Sequence, residues 1–274
     1  MKDALTITLV QTQLVWEDKA ANLQLLEEKI KSIPGKTEIV VLPEMFSTGF
    51  SMKPGLLAET MEGPSVEWMR RISAEERKII TGSLIIKEVA DNGDEAYFNR
   101  LVWMLPNGQL GVYNKRHLFA YAHEHDHYTP GEKRLIASVK DWKINLQVCY
   151  DLRFPVWARQ VPPTAGENWR GLYDVLIYVA NWPERRSHAW KTLLQARAIE
   201  NQCYVVGVNR VGTDGNDIYH SGDSMVVDPL GEVLYHKKDE EDLFTITLDK
   251  NHLSEVRNRF PFWEDADEFK IFDT

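Results

Sequence analysis

The sequence has little cysteine, no long hydrophobic run and no basic stripe. Two cysteines, Cys149 and Cys203, occur among 274 residues, and a chain of this length can be stable without disulfide bonds. We therefore expect free thiols and a cytoplasmic protein. No apolar run approaches the roughly 20 residues that cross a bilayer. The N-terminal segment, residues 1–7, lacks the apolar core of a signal peptide.

The composition is that of a globular protein, and nothing in it suggests a nucleic-acid or membrane partner. Hydrophobic residues make up 43% and charged residues 27% of the chain, whose net charge is -9. A negative chain without a basic stripe is a poor partner for nucleic acid, although it can still contain a locally basic pocket. Without repeats, low-complexity segments or a clear linker, residues 1–274 are expected to form a single domain.

Apolar periodicity predicts an alternation of strands and helices. Strands are predicted at residues 5–10, 39–42, 79–86, 97–105, 111–113, 144–148, 175–179 and 204–208, with several short strands within 219–248. Helices are predicted at residues 18–33, 65–78 and 184–200, with a short helix from Pro155 and a loop at 161–171. This order indicates a layered α/β protein with a mixed sheet or a pair of sheets. Ligands of such folds bind at the strand ends.

Cys149 lies at one of these strand ends, directly after the apolar segment 144–148. A thiol at the tip of a strand is held rigidly and can reach into a cleft. The backbone N–H groups that follow it are free to stabilise an anion, such as a thiolate or the oxyanion of a tetrahedral intermediate. The alternative is a small buried core residue, and this is our interpretation of Cys203, which precedes the buried strand 204–208.

Two further strand ends carry charged side chains. Glu44 follows the buried run 39–42, where a carboxylate is costly unless it is exposed or partnered. Lys115 follows the predicted strand 111–113. Each residue on its own could be a solvated surface charge. With Cys149, however, they supply the base, the cation and the thiol that nucleophilic attack on an amide requires.

Three segments resemble the catalytic blocks of the nitrilase, or carbon–nitrogen hydrolase, superfamily. They are residues 42–46 (LPEMF), 114–119 (NKRHLF) and 148–155 (VCYDLRFP). Their order and separation also match, and the resemblance covers essentially the whole chain. Residues 181–183 (NWP) and 195–201 (QARAIEN) are similar to the ω-amidase branch of that superfamily.

This resemblance implies a fold and a set of catalytic roles. The fold would be a four-layer α-β-β-α sandwich. Glu44 would be the general base, Lys115 the cation that stabilises the oxyanion, and Cys149 the nucleophile. Many members have a second glutamate between the lysine and the cysteine. Glu124 matches that position best, and Glu132 competes with it.

The resemblance also implies a substrate class, the ω-amides of 2-oxo dicarboxylic acids such as 2-oxoglutaramate and 2-oxosuccinamate. Phe119, Tyr150 and Trp182 would rim the pocket, and Arg185 would hold the substrate carboxylate or lie solvated on the surface. The reaction would need no cofactor and no metal, and a homodimer or larger homo-oligomer is expected. A nitrilase, a carbamoylase or another amidase would share the same catalytic residues.

Two rival classes of function remain open from the residues alone. His123, His125 and His127 alternate, and in an extended segment they could place imidazoles on one side for a metal-dependent hydrolase. No apolar strand directly precedes them, however, and a partly exposed loop beside an active site is the simpler interpretation. The second rival is a non-catalytic binding protein, against which the complete set of catalytic residues argues.

Overall fold

Two mixed β-sheets with helices on their outer faces form the structure, a computed structural model that describes residues 4–89, 93–160 and 171–271. The strands within these ranges are β1 (Ala4–Gln11), β2 (Ile39–Val41), β3 (Ile79–Val89), β4 (Glu95–Met104), β5 (Leu110–Asn114), β6 (Leu135–Val139), β7 (Trp142–Val148), β8 (Val175–Ala180), β9 (Tyr204–Asn209), β10 (Val211–Thr213), β11 (Tyr219–Val227), β12 (Val233–Lys238) and β13 (Asp242–Asp249). The α-helices are α1 (Lys19–Lys31), α2 (Pro54–Leu57), α3 (Pro64–Glu76), α4 (Pro155–Ala158), α5 (Ser187–Asn201) and α6 (Lys250–Arg259).

Each sheet has a parallel centre and antiparallel edges. The first sheet has the order β13-β1-β2-β3-β4-β5, in which β1, β2 and β3 run parallel. The second has the order β10-β11-β9-β8-β7-β6, in which β7, β8 and β9 run parallel, and β12 pairs with β11. The parallel strands β2, β8 and β9 are buried on both faces, which explains their largely continuous apolar sequences. The parallel strands β1 and β7 alternate apolar and polar residues instead.

Alternate side chains of a single strand face different layers of the structure. In β2, Ile39 and Val41 belong to the core between the sheets, together with Leu146 of β7. The intervening Val40 faces the opposite way and packs with Leu26 of α1 and Met69 of α3. Because successive side chains of a strand point to opposite faces, this pattern requires a helical layer outside the first sheet.

The second sheet is covered in the same way by α5. The backbone of β9 approaches that helix closely at Gly207, where an added Cβ atom would lie 2.6 Å from the Leu194 side chain and 2.8 Å from Trp190. Both helical side chains are fully buried. The predicted α-β-β-α sandwich is therefore confirmed.

Several local predictions needed correction. The strand β6 and the helices α2 and α6 were not predicted from the sequence. The predicted helix at 184–200 begins as a 3-10 turn, Glu184–Arg186, before α5. The helix predicted at 65–78 ends at Glu76, because Arg77 adopts a left-handed conformation with φ of 53°. The predicted loop at 161–171 lies almost entirely outside the described residues. No helix in the described ranges is long and apolar enough to span a membrane.

Candidate active site

The structure brings together the four residues that the sequence proposed as catalytic. Glu44 lies just past β2, Lys115 directly follows β5, and Cys149 directly follows β7. Glu124 comes from a 3-10 turn, Glu124–Asp126, that follows Lys115 in the chain. Glu44 and Glu124 are completely buried, as is the side chain of Lys115, and Cys149 is buried. The site therefore lies where the two sheets meet.

The ammonium of Lys115 is held between two carboxylates. Its Nζ lies 2.9 Å from Oε1 of Glu44 and 2.9 and 3.0 Å from the two oxygens of Glu124. The second oxygen of Glu124 also accepts the Phe119 N–H at 2.6 Å. All three charged groups are out of contact with water, so each depends on the others to offset its desolvation.

The charges of this cluster shift the pKa values of Lys115 and Glu124. Burial alone would lower the pKa of Lys115, but the negative charges of Glu124 and Glu44 outweigh it and hold that pKa above its ordinary value. Burial raises the pKa of Glu124, the charge of Lys115 opposes this shift, and the nearby Glu44 adds to it. Lys115 is therefore a fixed cation in the folded protein.

Two asparagines that the sequence did not single out for catalysis complete the cluster. The Nδ2 of Asn99 donates to Glu44 at 2.8 Å and to Glu124 at 3.1 Å. The backbone N–H of Asn181 donates to the other oxygen of Glu44 at 2.9 Å, and its side-chain amide donates to the Glu44 carbonyl. Asn99 lies in the middle of β4, so no strand-end signal marked it.

Cys149 has a strained backbone and a protonated thiol. Its φ of 43° lies in the left-handed region, which residues with a side chain rarely adopt. Burial, followed by the negative charge of Glu44, raises the pKa of the thiol well above its ordinary value, whereas Lys115 lowers it. A hydrogen bond between the thiol and Glu44 acts in the same direction as burial. The resting group is therefore a thiol whose proton faces a carboxylate.

Above the thiol lies a cavity of about 340 Å³. It is lined by Cys149 and by all four residues predicted to bind substrate, Phe119, Tyr150, Trp182 and Arg185. The Trp182 side chain is also largely buried, and its Nε1–H donates to the Arg186 carbonyl at 2.8 Å. Further lining residues include Phe50, Met52, Arg153, Arg186 and Ile218. The cavity is thus mainly apolar, with charged groups at the floor and on its wall.

Three arginines carry positive charge on the cavity wall, which also includes the carboxylate of Asp214. Within the described part of the chain, Arg153, Arg185 and Arg186 form no ion pair at 4.0 Å or less. The Arg186 guanidinium lies 5.0 Å from the ring centre of Phe119, and that of Arg153 lies 5.0 Å from the ring of Trp182. Burial, followed by the charge of Arg185, lowers the pKa of Arg186. An anionic ligand would relieve this repulsion.

The histidine segment does not have the extended form that a metal site would use. Residues 120–126 form two short 3-10 turns, and His123, His125 and His127 all lie on the exposed surface. Glu124 alone turns inward from this segment, and the competing Glu132 is exposed. No three potential ligands among the described residues are placed to hold a metal ion.

Known proteins resemble this chain over most of its length. The family model described as carbon-nitrogen hydrolase matches residues 6–258. The chain is 41% identical to the omega-amidase YafV of Escherichia coli (strain K12), covering 98% of this chain and 99% of that protein. It is 30% identical to the 2-oxoglutaramate amidase of Bacillus subtilis (strain 168), covering 95% and 96%.

A solved structure shows the same fold. A CN-hydrolase superfamily protein from Xanthomonas campestris, whose crystal structure holds an arsenic adduct in the active site, superposes with a TM-score of 0.92. The two chains are 42% identical, and the match covers 98% of this chain and 99% of the other.

Replacing Asn99 tests its role in the carboxylate cluster. Asn99→Ala removes one donor shared by two buried carboxylates and should lower the free energy of unfolding by about 1–3 kcal/mol. Loss of this donor should raise the pKa of Glu124 further, so the folded variant binds protons more strongly. Its deficit in stability should therefore grow as the pH rises and shrink as the pH falls. Urea unfolding at pH 5.5 and pH 8 measures this difference.

Asn145→Ala is the matched control, because Asn145 is a buried asparagine of β7 in the other sheet. Its stability deficit should not depend on pH. An equal pH dependence in both variants would show that Asn99 does not act on the carboxylates.

Proposed function

The chain belongs to the carbon–nitrogen hydrolase family and is an amide hydrolase, and from that premise we propose that it cleaves the ω-amide of a small 2-oxo dicarboxylic acid. The products would be the dicarboxylate and ammonia, with 2-oxoglutaramate and 2-oxosuccinamate as substrates. One observation carries this proposal: Cys149 and Lys115 line the same cavity as three arginines without ion pairs. The names of the Escherichia coli and Bacillus subtilis relatives support it.

The first step is attack of the Cys149 sulfur on the amide carbonyl. The thiol enters the reaction protonated, because burial and the negative charge of Glu44 raise its pKa, and Glu44 takes the proton as the sulfur attacks. This transfer moves a proton within the buried cluster and does not change the cluster's net charge. No further buried charge has to be stabilised on the protein while the nucleophile forms.

The oxyanion that develops on the substrate needs donors placed in advance. We assign this role to the ammonium of Lys115 and to the N–H of Tyr150, which is the second residue of the 3-10 turn Cys149–Arg153. The first N–H groups of such a turn have no partner within it. Glu124 holds the ammonium in place through both of its oxygens.

Collapse of the tetrahedral intermediate breaks the carbon–nitrogen bond. Glu44 returns its proton to the departing nitrogen, ammonia leaves, and the acyl group stays on Cys149 as a thioester. Glu44 then takes a proton from a water molecule that attacks the thioester. The second tetrahedral intermediate breaks its carbon–sulfur bond, Glu44 returns the proton to the Cys149 sulfur, and the product acid leaves as a carboxylate after giving its proton to ammonia or water. The cycle balances without a cofactor.

The substrate carboxylate would bind to the arginines of the cavity wall. Arg185 is exposed at the mouth, whereas Arg186 is half-buried and lies over Phe119. A carboxylate bound there would gain charge-assisted hydrogen bonds and would reduce the repulsion between the guanidinium groups. The apolar lining, including Tyr150 and Trp182, would contact the short carbon chain between the two ends of the substrate.

We also propose a cytoplasmic location and a homodimer or larger homo-oligomer. Both cysteines are free thiols, which supports a reducing compartment. Ile199 and Phe262, each more than half exposed, line one surface groove, and this apolar patch supports self-association. Sedimentation velocity tests the oligomer, and the mass of a single chain would contradict it.

Replacement of Cys149 tests the nucleophile. Cys149→Ala and Cys149→Ser should reduce ammonia release from 2-oxoglutaramate to near background with an unchanged circular dichroism spectrum. Cys203→Ala, which changes the other buried thiol, should keep most of the activity. The wild type should be assayed on 2-oxosuccinamate, glutamine, asparagine and simple nitriles as well. Substantial turnover by both Cys149 variants would refute the mechanism, and preference for a nitrile would refute the substrate class.

Replacement of Glu44 tests the base. Glu44→Gln keeps the size of the side chain but cannot accept the thiol proton, so acylation should stop. Intact-protein mass spectrometry after mixing with 2-oxoglutaramate should show only the unmodified mass. Accumulation of a thioester in this variant would mean that another group deprotonates Cys149.

The arginines should act on charged substrates only. Arg186→Ala and Arg153→Ala should each lower kcat/KM for 2-oxoglutaramate by roughly 10- to 100-fold, the loss expected for one charge-assisted hydrogen bond. With an uncharged short-chain amide such as butyramide, kcat/KM should stay close to that of the wild type. Equal losses on both substrates would indicate a structural role instead of carboxylate binding.

A further inference from the structure

Asp151 is a fully buried carboxylate two residues after the nucleophile, and it has no chemical role in the proposed reaction. Its Oδ2 accepts the Val148 N–H at 3.0 Å and the Tyr113 O–H at 2.7 Å. Its Oδ1 accepts the His117 N–H at 3.0 Å and lies 2.8 Å from Nδ1 of the same histidine. A buried carboxylate with this many donors is fixed in position.

These donors come from the two chain segments that carry the reactive groups. Tyr113, near the end of β5 in the first sheet, stands two residues before Lys115, and His117, beyond that strand, stands two residues after it. Val148 directly precedes Cys149 and ends β7 in the second sheet. One carboxylate therefore joins the backbone around the cation to the backbone around the thiol.

The donors are themselves held by neighbours. The Tyr113 oxygen accepts the Trp157 Nε1–H at 3.0 Å. Burial, followed by the charge of Asp151, raises the pKa of Tyr113 well above its ordinary value, so its hydroxyl remains a donor. The His117 ring stacks on Phe154 with centres 3.9 Å apart and planes 9° apart. Both donors therefore have little freedom to follow Asp151 if it moves.

The same carboxylate closes the turn that carries the thiol. Cys149 has a φ of 43°, a conformation that persists only where surrounding contacts require it. The hydrogen bond from the Val148 N–H to Asp151 spans this residue. Asp151 is also adjacent to Tyr150, whose N–H is a proposed oxyanion donor.

From this arrangement we propose that Asp151 is a positioning residue, which sets the distance between the Lys115 ammonium and the unit formed by the Cys149 thiol and the Tyr150 N–H. The expected effect of Asp151 on turnover rests on the proposed function. Both oxyanion donors must match the transition state, so a shift of about 1 Å between them can cost roughly 100-fold in rate. Substrate binding through the arginines does not depend on this distance.

Asp151→Asn tests the role with little change in size. An amide has one acceptor oxygen, so whichever way it turns, its NH₂ group faces either the donors from Val148 and Tyr113 or those from His117. We expect kcat for 2-oxoglutaramate to fall about 100-fold, with KM within about threefold of the wild type. Alkylation of Cys149 by iodoacetamide, followed by mass spectrometry, should slow about tenfold. Wild-type kcat and alkylation rates in the folded variant would overturn the proposal.

Tyr113→Phe removes one hydrogen-bond donor to Asp151 and keeps the ring. It tests the same positioning role if Asp151→Asn does not fold. It should lower kcat about tenfold without a comparable change in KM. Tyr173→Phe is the matched control, since Tyr173 is equally buried and donates to the Ala158 carbonyl outside this network. The control should lose stability but keep its kcat.

The double variant shows whether the two residues act together. If Tyr113 acts through Asp151, combining Tyr113→Phe with Asp151→Asn should cost no more in kcat than Asp151→Asn alone. If the losses in kcat of the two single variants multiply in the double variant, the two residues act independently, and the proposal that Tyr113 acts through Asp151 is wrong. If the wild type releases no ammonia from any amide, the proposed function fails, and the alkylation rates still decide the role of Asp151.

Discussion

The buried ammonium of Lys115 is the interaction on which the rest of the site depends. A cation out of contact with water is stable only if carboxylates offset its desolvation, and Glu44 and Glu124 both lie within 3.0 Å of it. A single carboxylate would give a neutral pair with no spare negative charge. The second leaves one excess negative charge, so a carboxylate can accept a proton while Lys115 stays charged.

The packing of the two sheets fixes the relative positions of the residues in this cluster. Glu44 belongs to the first sheet, yet one of its oxygens accepts the N–H of Asn181, which directly follows β8 in the second. Asp151 makes a comparable connection between the strands that lead to Lys115 and Cys149. The apolar core between the sheets therefore does more than stabilise the fold, because a shift of one sheet over the other would separate Glu44 from the Cys149 thiol.

The strand ends were predictable from the sequence, and so was the presence of the cluster residues at those ends. Continuous or alternating apolar residues marked the strands, and Glu44, Lys115 and Cys149 stood at or just past the predicted strand ends. Asn99 could not be found in this way, because it lies within β4 and joins the cluster only through partners 25 and 55 residues away. The β6 strand was missed for a related reason: it lies at a sheet edge, where exposed and buried positions are mixed and the apolar signal is weak. The 3-10 turns of residues 120–126 likewise depend on Glu124 reaching Lys115, a tertiary contact that local propensity does not encode.

The charges along the cavity also bear on the direction of the proposed reaction. The buried cluster at the floor places two carboxylates around one ammonium, whereas three arginines (Arg153, Arg185 and Arg186) and one carboxylate (Asp214) line the wall and make it predominantly positive. A substrate with a neutral amide at one end and a carboxylate at the other fits this gradient in one orientation only. Hydrolysis turns the amide into a second carboxylate beside Glu44 and Glu124, where like charges repel. The electrostatics that orient the substrate therefore weaken the hold on the product at the catalytic end, and this favours its release after each turnover.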